Sequence, residues 1–273
     1  GFEFLSVDPV ARRNQGGIGV TGDGYEITYN RSGLAFNSKQ ISTISYFNYI
    51  GGTHFGQIGH QLKSKALAVR YFNGGTLKRT DNMGNELGTF GVHFIDLALG
   101  PGFKINEKLG LGASVKFQYE RIDTFVSLGT GIDLGSLYKL KENINLAAVV
   151  KNLGLTIKPF IEERDILPLE VGLGGALYWA KNSMFADFYI PIEGKPNGRL
   201  GYEYWLLKNF SLKIGFNSKL LELKTGSEAI DLITGLGLGV GIRWAGLNLD
   251  YLFTPYGELG LLHRISLAFI HSK

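Results

Sequence analysis

The sequence predicts an all-β fold, a transmembrane antiparallel β-barrel of about 14 strands with an N-terminal hatch or plug segment. Three observations lead there. From residue 41 onward apolar and polar residues alternate with period two, the mark of strands with two different faces. The connections between those strands alternate short and long, as on the two rims of a membrane barrel. All three tryptophans, Trp179, Trp205 and Trp244, fall where a strand enters a short turn.

The strands follow in order at 41–49, 54–62, 65–73, 89–103, 109–120, 125–138, 144–152, 168–179, 184–191, 198–204, 210–217, 232–243, 247–254 and 262–271. Most have the ~9–11 residues that a tilted strand needs to cross hydrocarbon. In 109–120, Leu109, Leu111, Ala113, Val115, Phe117 and Tyr119 alternate with Gly110, Gly112, Ser114, Lys116 and Gln118. Pro101 stands inside a predicted strand, where it removes a ladder hydrogen bond, so that strand is expected to bulge or end early. After the hairpin at Gly51-Gly52, short turns occupy 63–64, 104–108, 139–143, 180–183, 205–209 and 244–246. Longer loops occupy 74–88, 153–167, 192–197, 218–231 and 255–261, with a tight exception near 121–124. An even strand count returns both termini to the short-turn rim.

On that rim Phe103, Tyr138, Trp179, Trp205 and Trp244 are expected to form an aromatic girdle, with Lys and Asn beyond it. Tyr178 and Tyr204 stand in equivalent places, and Tyr46, Tyr49, Tyr71, Phe72, Tyr119, Phe125 and Phe253 mark the opposite rim. The polar face supplies the lumen-lining candidates: Lys116, Glu120, Asp133, Glu170, Asp187, Arg199, Glu203, Lys213, Arg243, Asp250 and Arg264. Both signs occur, so these residues can pair across the interior. On the lipid face each Arg or Lys at midplane would cost ~2–4 kcal/mol.

Composition agrees. Gly makes up 39 of 273 residues, about twice the usual ~7 %, while Pro is scarce at 7, so neither collagen nor a disordered chain is indicated. There is no apolar run long enough for a membrane helix, which leaves a closed barrel as the way to span a bilayer. The absence of Cys excludes disulfides, thiol catalysis and Cys-ligated metal. Net charge is +4 without a polybasic block, which argues against a nucleic-acid partner. The expected partners are outer-membrane lipid and either a second copy or another envelope or surface protein.

Residues 1–40 form the expected plug, ahead of a barrel at 41–273. Phe4 to Arg12 predicts a short helix with Asp8 as N-cap and Pro9 at its first position. The plug candidates are Phe4, Leu5, Arg12, Asn30, Arg31 and Leu34. Phe4-Leu5, Ala11-Arg12, Gly16-Gly17, Val20, Asp23 and Asn30 to Leu34 together resemble the opening of the PorV/PorQ family of FadL-like outer-membrane proteins. Leu109 to Phe117, Asp133-Leu-Gly, Val150 to Gly154, and Pro255 to Gly260 with His263-Arg264-Ile265 also look like family phrases. The chain departs at Gly24, where a second Asp is usual, and at Arg31-Ser32, which replaces Pro-Ala. The resemblance implies a fourteen-stranded plugged barrel in the bacterial outer membrane. It implies either a channel for apolar or small solutes, or a non-conducting carrier whose long loops bind exported or surface proteins. The loop tips, Asn82-Met83-Gly84 and Glu162 to Asp165, read as polar and without an obvious hydrophobic anchor.

Catalysis has little support. The five histidines, His54, His60, His93, His263 and His271, show no metal-binding spacing, and no G-x-S-x-G occurs. His93 near Asp96 and His263 near Glu258 are the nearest approach to a dyad. Gly235 to Gly241 alternates within a strand and is not a phosphate loop. No enzyme and no cofactor are expected.

Overall fold

A computed structural model describes residues 2–271 except 9, 14–15, 163, 165, 224–232 and 258–259. Its fourteen strands close into one antiparallel barrel in which every strand pairs with its sequence neighbour and β1 with β14. They are β1 (Gln40–Asn48), β2 (His54–Leu62), β3 (Lys65–Thr80), β4 (Glu86–Lys104), β5 (Leu109–Ile122), β6 (Phe125–Lys141) and β7 (Ile144–Lys158). They continue with β8 (Glu170–Trp179), β9 (Asn182–Pro191), β10 (Asn197–Trp205), β11 (Phe210–Asn217), β12 (Leu236–Trp244), β13 (Leu247–Pro255) and β14 (Leu261–Ile270).

The alternation is inside out. In β5, Leu111, Val115 and Phe117 lie exposed on the outer wall, while Ser114, Lys116, Gln118 and Glu120 are buried. The same holds in β6, where Ile132 and Leu134 are exposed and Asp133 is buried between them. A barrel folded for water would bury its apolar side chains; this wall presents them outward, as a bilayer requires.

Several boundaries differ from the sequence reading. Residues 74–80 and 86–88 are not loop: β3 and β4 run on as a hairpin whose turn is closed by Asp81. The Asp81 carboxylate accepts from the Met83 and Asn85 amides at 2.8 and 2.9 Å. On that hairpin Met83 is 89 % exposed, with Leu77 and Leu87 also exposed, so this tip does carry hydrophobic surface. β7 extends to Lys158. Most of 218–231 lies outside the described residues, as do Glu163, Asp165 and Glu258.

Pro101 stays inside β4 without a bulge there. Its missing N–H falls on the β5 side, where the paired residues skip from Leu99↔Val115 to Gly102↔Gly112 with the register unchanged. On the other side the Gly102 N–H donates to the Ser64 carbonyl at 2.7 Å, so the β3 ladder continues.

The predicted helix over Phe4 to Arg12 does not form. A single 3-10 turn covers Glu3–Ser6, and Val7 is extended; Pro9 lies outside the described residues. Asp8 still acts as a local cap, accepting from the Val10 amide at 2.9 Å. A four-residue helix (Glu26–Tyr29, α1) and a 3-10 stretch (Arg31–Phe36) complete the segment, and Gln40 already belongs to β1.

Candidate functional site

The lumen is built by the inward-facing rows of the strands and by the described residues of 2–36, which bond to those rows through side chains and backbone. Glycine on the wall makes the approach close. At Gly112 a Cβ would lie 2.3 Å from the backbone of Arg31 and Ser32, and at Gly102 it would lie 2.4 Å from the Ala35 amide nitrogen. Any other residue there would push the 31–36 stretch off β4 and β5.

Charged side chains then hold the segment in two groups. In the first, the Arg31 guanidinium pairs with Asp133 and donates to Ser114 Oγ at 2.8 Å. Lys116 lies 3.5 Å from the same carboxylate and donates to Asn152. In the second, Arg12 pairs with Glu203 at 3.0 Å and Asp250 at 3.1 Å, and Lys213 bonds Asp250 as well. Asp187 accepts from the Gly17 and Ile18 amides. Arg264 donates to the Asp8 carbonyl at 2.9 Å, and Glu120 accepts from the Phe2 amide at 3.0 Å. Asn30 donates to the Ile18 and Ser136 carbonyls, tying the segment to itself and to β6.

Within the segment Arg13 forks onto Asp23, at 2.6 and 2.8 Å. Burial works against the Asp23 anion, but the Arg13 guanidinium prevails and holds its carboxyl below the usual range. Glu26 goes the other way: burial pushes its carboxyl up and the Asp23 charge adds to that.

The remaining candidates are placed as follows. Glu170 lies 3.9 Å from Lys151, Arg199 stacks on Tyr189, and Phe4, Leu5 and Leu34 are buried. Arg243 shares the inward parity but stands exposed at the short-turn mouth, 3.7 Å over the Trp205 ring. Trp205 is therefore not part of an outer girdle. It follows Glu203 by two residues, and Glu203 points inward to Arg12, so period two puts both on the lumen side. Tyr178 and Phe72 are inward for the same reason, whereas Phe103, Tyr138, Trp179 and Trp244 are exposed on the outer wall. The two sequence dyads dissolve: His93 faces outward and Asp96 inward, and Glu258 lies outside the described residues.

Sequence reasoning missed Arg70 and Asp96, an inward pair at 2.6 Å, and it missed what lies directly above them. On β1 to β4 the inward row reads Ser45, Gln57, Arg70 and Asp96, each directly opposite the next. One step toward the loop rim it reads Phe47, Phe55, Phe72 and Phe94, again each opposite the next. Their ring centroids are 5.6, 6.0 and 5.3 Å apart along the row. Phe2, Phe4, Leu5, Tyr49, Tyr256 and Leu262 pack against this rung. The signal was present as a Phe two residues from an inward polar group on four successive strands.

Open space is distributed unevenly. Small cavities of about 40 Å³ remain between the segment and the wall, room for a few waters. One is lined by Arg12, Asp23, Tyr202, Glu203 and Lys213. On the outer face of β10–β12 lies an apolar groove of about 540 Å³, and it too is lined by Tyr202 and Lys213, with Tyr204, Leu212, Ile214 and Leu238. Between them Gly201, Gly215 and Gly237 form one inward row without side chains, the Phe185 ring lies against Gly201, and Lys213 faces Gly239.

No family model matches the chain, and no curated protein does. Solved structures do. The chain resembles the CymD monoaromatic hydrocarbon channel at TM-score 0.63 and 12% identity, over 100% of both chains. A Pseudomonas aeruginosa FadL homologue follows at 0.59 and 11%, covering 95% of this chain and 97% of that one. The Pseudomonas putida toluene transporter TodX gives 0.58 and 13%, over 97% and 96%. The fold is that of the FadL-type channels. At this identity the likeness carries architecture and leaves the chemistry to the residues.

Proposed function

We propose that this chain is a bacterial outer-membrane barrel that admits small apolar solutes, with residues 1–40 as a plug that closes the lumen along its axis. The solute enters the phenylalanine rung at the loop rim and leaves sideways through β10–β12. One observation carries the sideways route: the outer groove and a lumen cavity share Tyr202 and Lys213 across a glycine-rich wall. Either route meets the Arg12–Glu203–Lys213 group that lines the cavity, but axial passage would also have to break the buried Arg31–Asp133 pair, at several kcal/mol. The similar structures include a monoaromatic hydrocarbon channel and a toluene transporter, which supports the same solute class. The test is toluene uptake by proteoliposomes carrying wild type or Leu238→Trp, which fills the groove. Uptake is expected to fall about ten-fold, while Leu249→Trp, outward but off the groove, leaves it unchanged. Equal uptake by Leu238→Trp and wild type would remove the sideways route.

A second reading, a carrier in the manner of the PorV/PorQ resemblance, is favoured by the projecting β3–β4 hairpin with Met83, Leu77 and Leu87 exposed. Recovery of one stoichiometric envelope protein by wild type, lost in Met83→Asp with uptake intact, would support it.

A further inference from the structure

All five histidines lie on the outer wall of one arc, β13–β14–β1–β2–β3–β4, or just beyond its end. At the loop rim three of them repeat one geometry. Tyr46 and His54, Tyr71 and His93, and Tyr251 and His263 each join a tyrosine hydroxyl to an imidazole Nδ1, at 2.7, 2.8 and 2.6 Å. Their ring centroids lie 6.0, 6.1 and 6.0 Å apart. In each case the histidine sits one diagonal step from the tyrosine, opposite Asn48, Asn73 or Phe253. With the phenol as donor, Nδ1 is the acceptor and the proton resides on Nε2, which is left as an oriented donor. Arg121 stands directly opposite His93 and adds a cation. At the short-turn rim Ser42 Oγ bonds both His60 and His271 at 2.9 Å.

On β1 and β2 polar groups leave little apolar wall between them. On β2 the outer face from His54 to His60 contains Gly56 and Ile58 alone, roughly 20 Å along the strand. On β5 the outer face runs apolar from Leu109 to Tyr119, roughly 33 Å. After a tilt of ~40° these become roughly 15 and 25 Å of bilayer thickness, and a barrel's apolar band is ~25 Å. Ordinary hydrocarbon fits β5 and overruns β2.

We propose that this arc binds phosphate-bearing lipid headgroups. The Tyr-fixed imidazole donors of the loop rim draw the headgroups toward the midplane, and the bilayer thins along β1–β2, where only Ile44 and Tyr46 lie outward between Ser42 and Asn48. Tyr-fixed imidazole donors, a neighbouring arginine and a shortened apolar span all point to this occupant.

Native mass spectrometry of the detergent-solubilised full chain tests it, with phosphatidylglycerol and the phosphate-free monogalactosyl diacylglycerol as probes. Wild type is expected to retain phosphatidylglycerol over the galactolipid. The triple variant Tyr46→Phe, Tyr71→Phe, Tyr251→Phe keeps the rings and frees the imidazoles. Without the hydroxyls that fix tautomer and ring orientation the Nε2 donors are no longer held in place, and its preference is expected to fall about ten-fold, the equivalent of one charge-assisted hydrogen bond. A heat-modifiable gel band checks that the variant is folded. Equal retention of both lipids by wild type, or an undiminished preference in a folded variant, would overturn the proposal. A wild-type dimer peak that the variant loses would overturn it too, giving the arc to a second copy.

Discussion

On β1 to β4 two adjacent rungs of the lumen differ completely: Ser45, Gln57, Arg70 and Asp96 below, four phenylalanines above. Both rungs face inward, are set by the same period and lie one pleat apart. The polar rung and its neighbours hold the described residues of 2–36 through ion pairs and hydrogen bonds; Arg70, for instance, pairs with Asp96 on the wall and donates to the Leu5 carbonyl. The phenylalanine rung is apolar and packs against Phe2, Phe4 and Leu5, with the Arg264 guanidinium 5.0 Å from the Phe47 ring. The lumen is therefore not one environment. It is a locked polar middle beneath an apolar mouth, and period two alone does not separate them.

Substitutions that exchange these characters test the distinction. The largest loss of stability is expected for Asp133→Asn, which leaves Arg31 and Lys116 buried beside a neutral group, at about 3–5 kcal/mol. Thermal unfolding in detergent, followed by the gel shift of the barrel, measures it. Phe55→Ala empties a fully buried position in the upper rung and should cost about 3 kcal/mol on the same assay. It should also lower toluene uptake, which Asp133→Asn at permissive temperature should not. Gln57→Phe extends the aromatic character one pleat downward, removes the bond to Thr28 Oγ1 at 2.8 Å, and should cost about 1–2 kcal/mol.

The smallest effect concerns pH. The Glu26 carboxyl is raised in the folded chain above its ordinary 4.5, so its favourable contribution is complete below that pH. It is lost as pH climbs from the unfolded value through the folded one. Glu26→Gln, which mimics the protonated acid, should thus unfold like wild type in acid and at a higher temperature near neutrality. A variant no more stable than wild type at neutral pH would contradict that sign.

Most of the barrel was legible. Leu109 to Tyr119 and Phe210 to Asn217 fixed strands within a residue or two, because one face must meet lipid and a slip would turn every side chain around. The hairpin beyond residue 73 was not legible, since its faces both meet water and no alternation is demanded of Lys78, Arg79 and Glu86. Trp205 was misplaced by composition overriding parity, although Glu203 two residues earlier already decided its side. Within the lumen, charge marked Asp133, Glu203 and Lys213, but partners such as Arg31 and Arg12 come from a segment without periodicity. Arg31 also gives the departure from the family phrase a physical role, as the cation facing Asp133.

Planar-bilayer recording of the full chain tests most directly whether residues 2–36 close the barrel along its axis. Wild type should insert without steady ohmic conductance, and the double variant Arg31→Ala, Arg12→Ala, which removes both anchoring guanidiniums, should show open-channel steps. A steady ion current through wild type would mean that the axis is open and that the segment does not act as a plug.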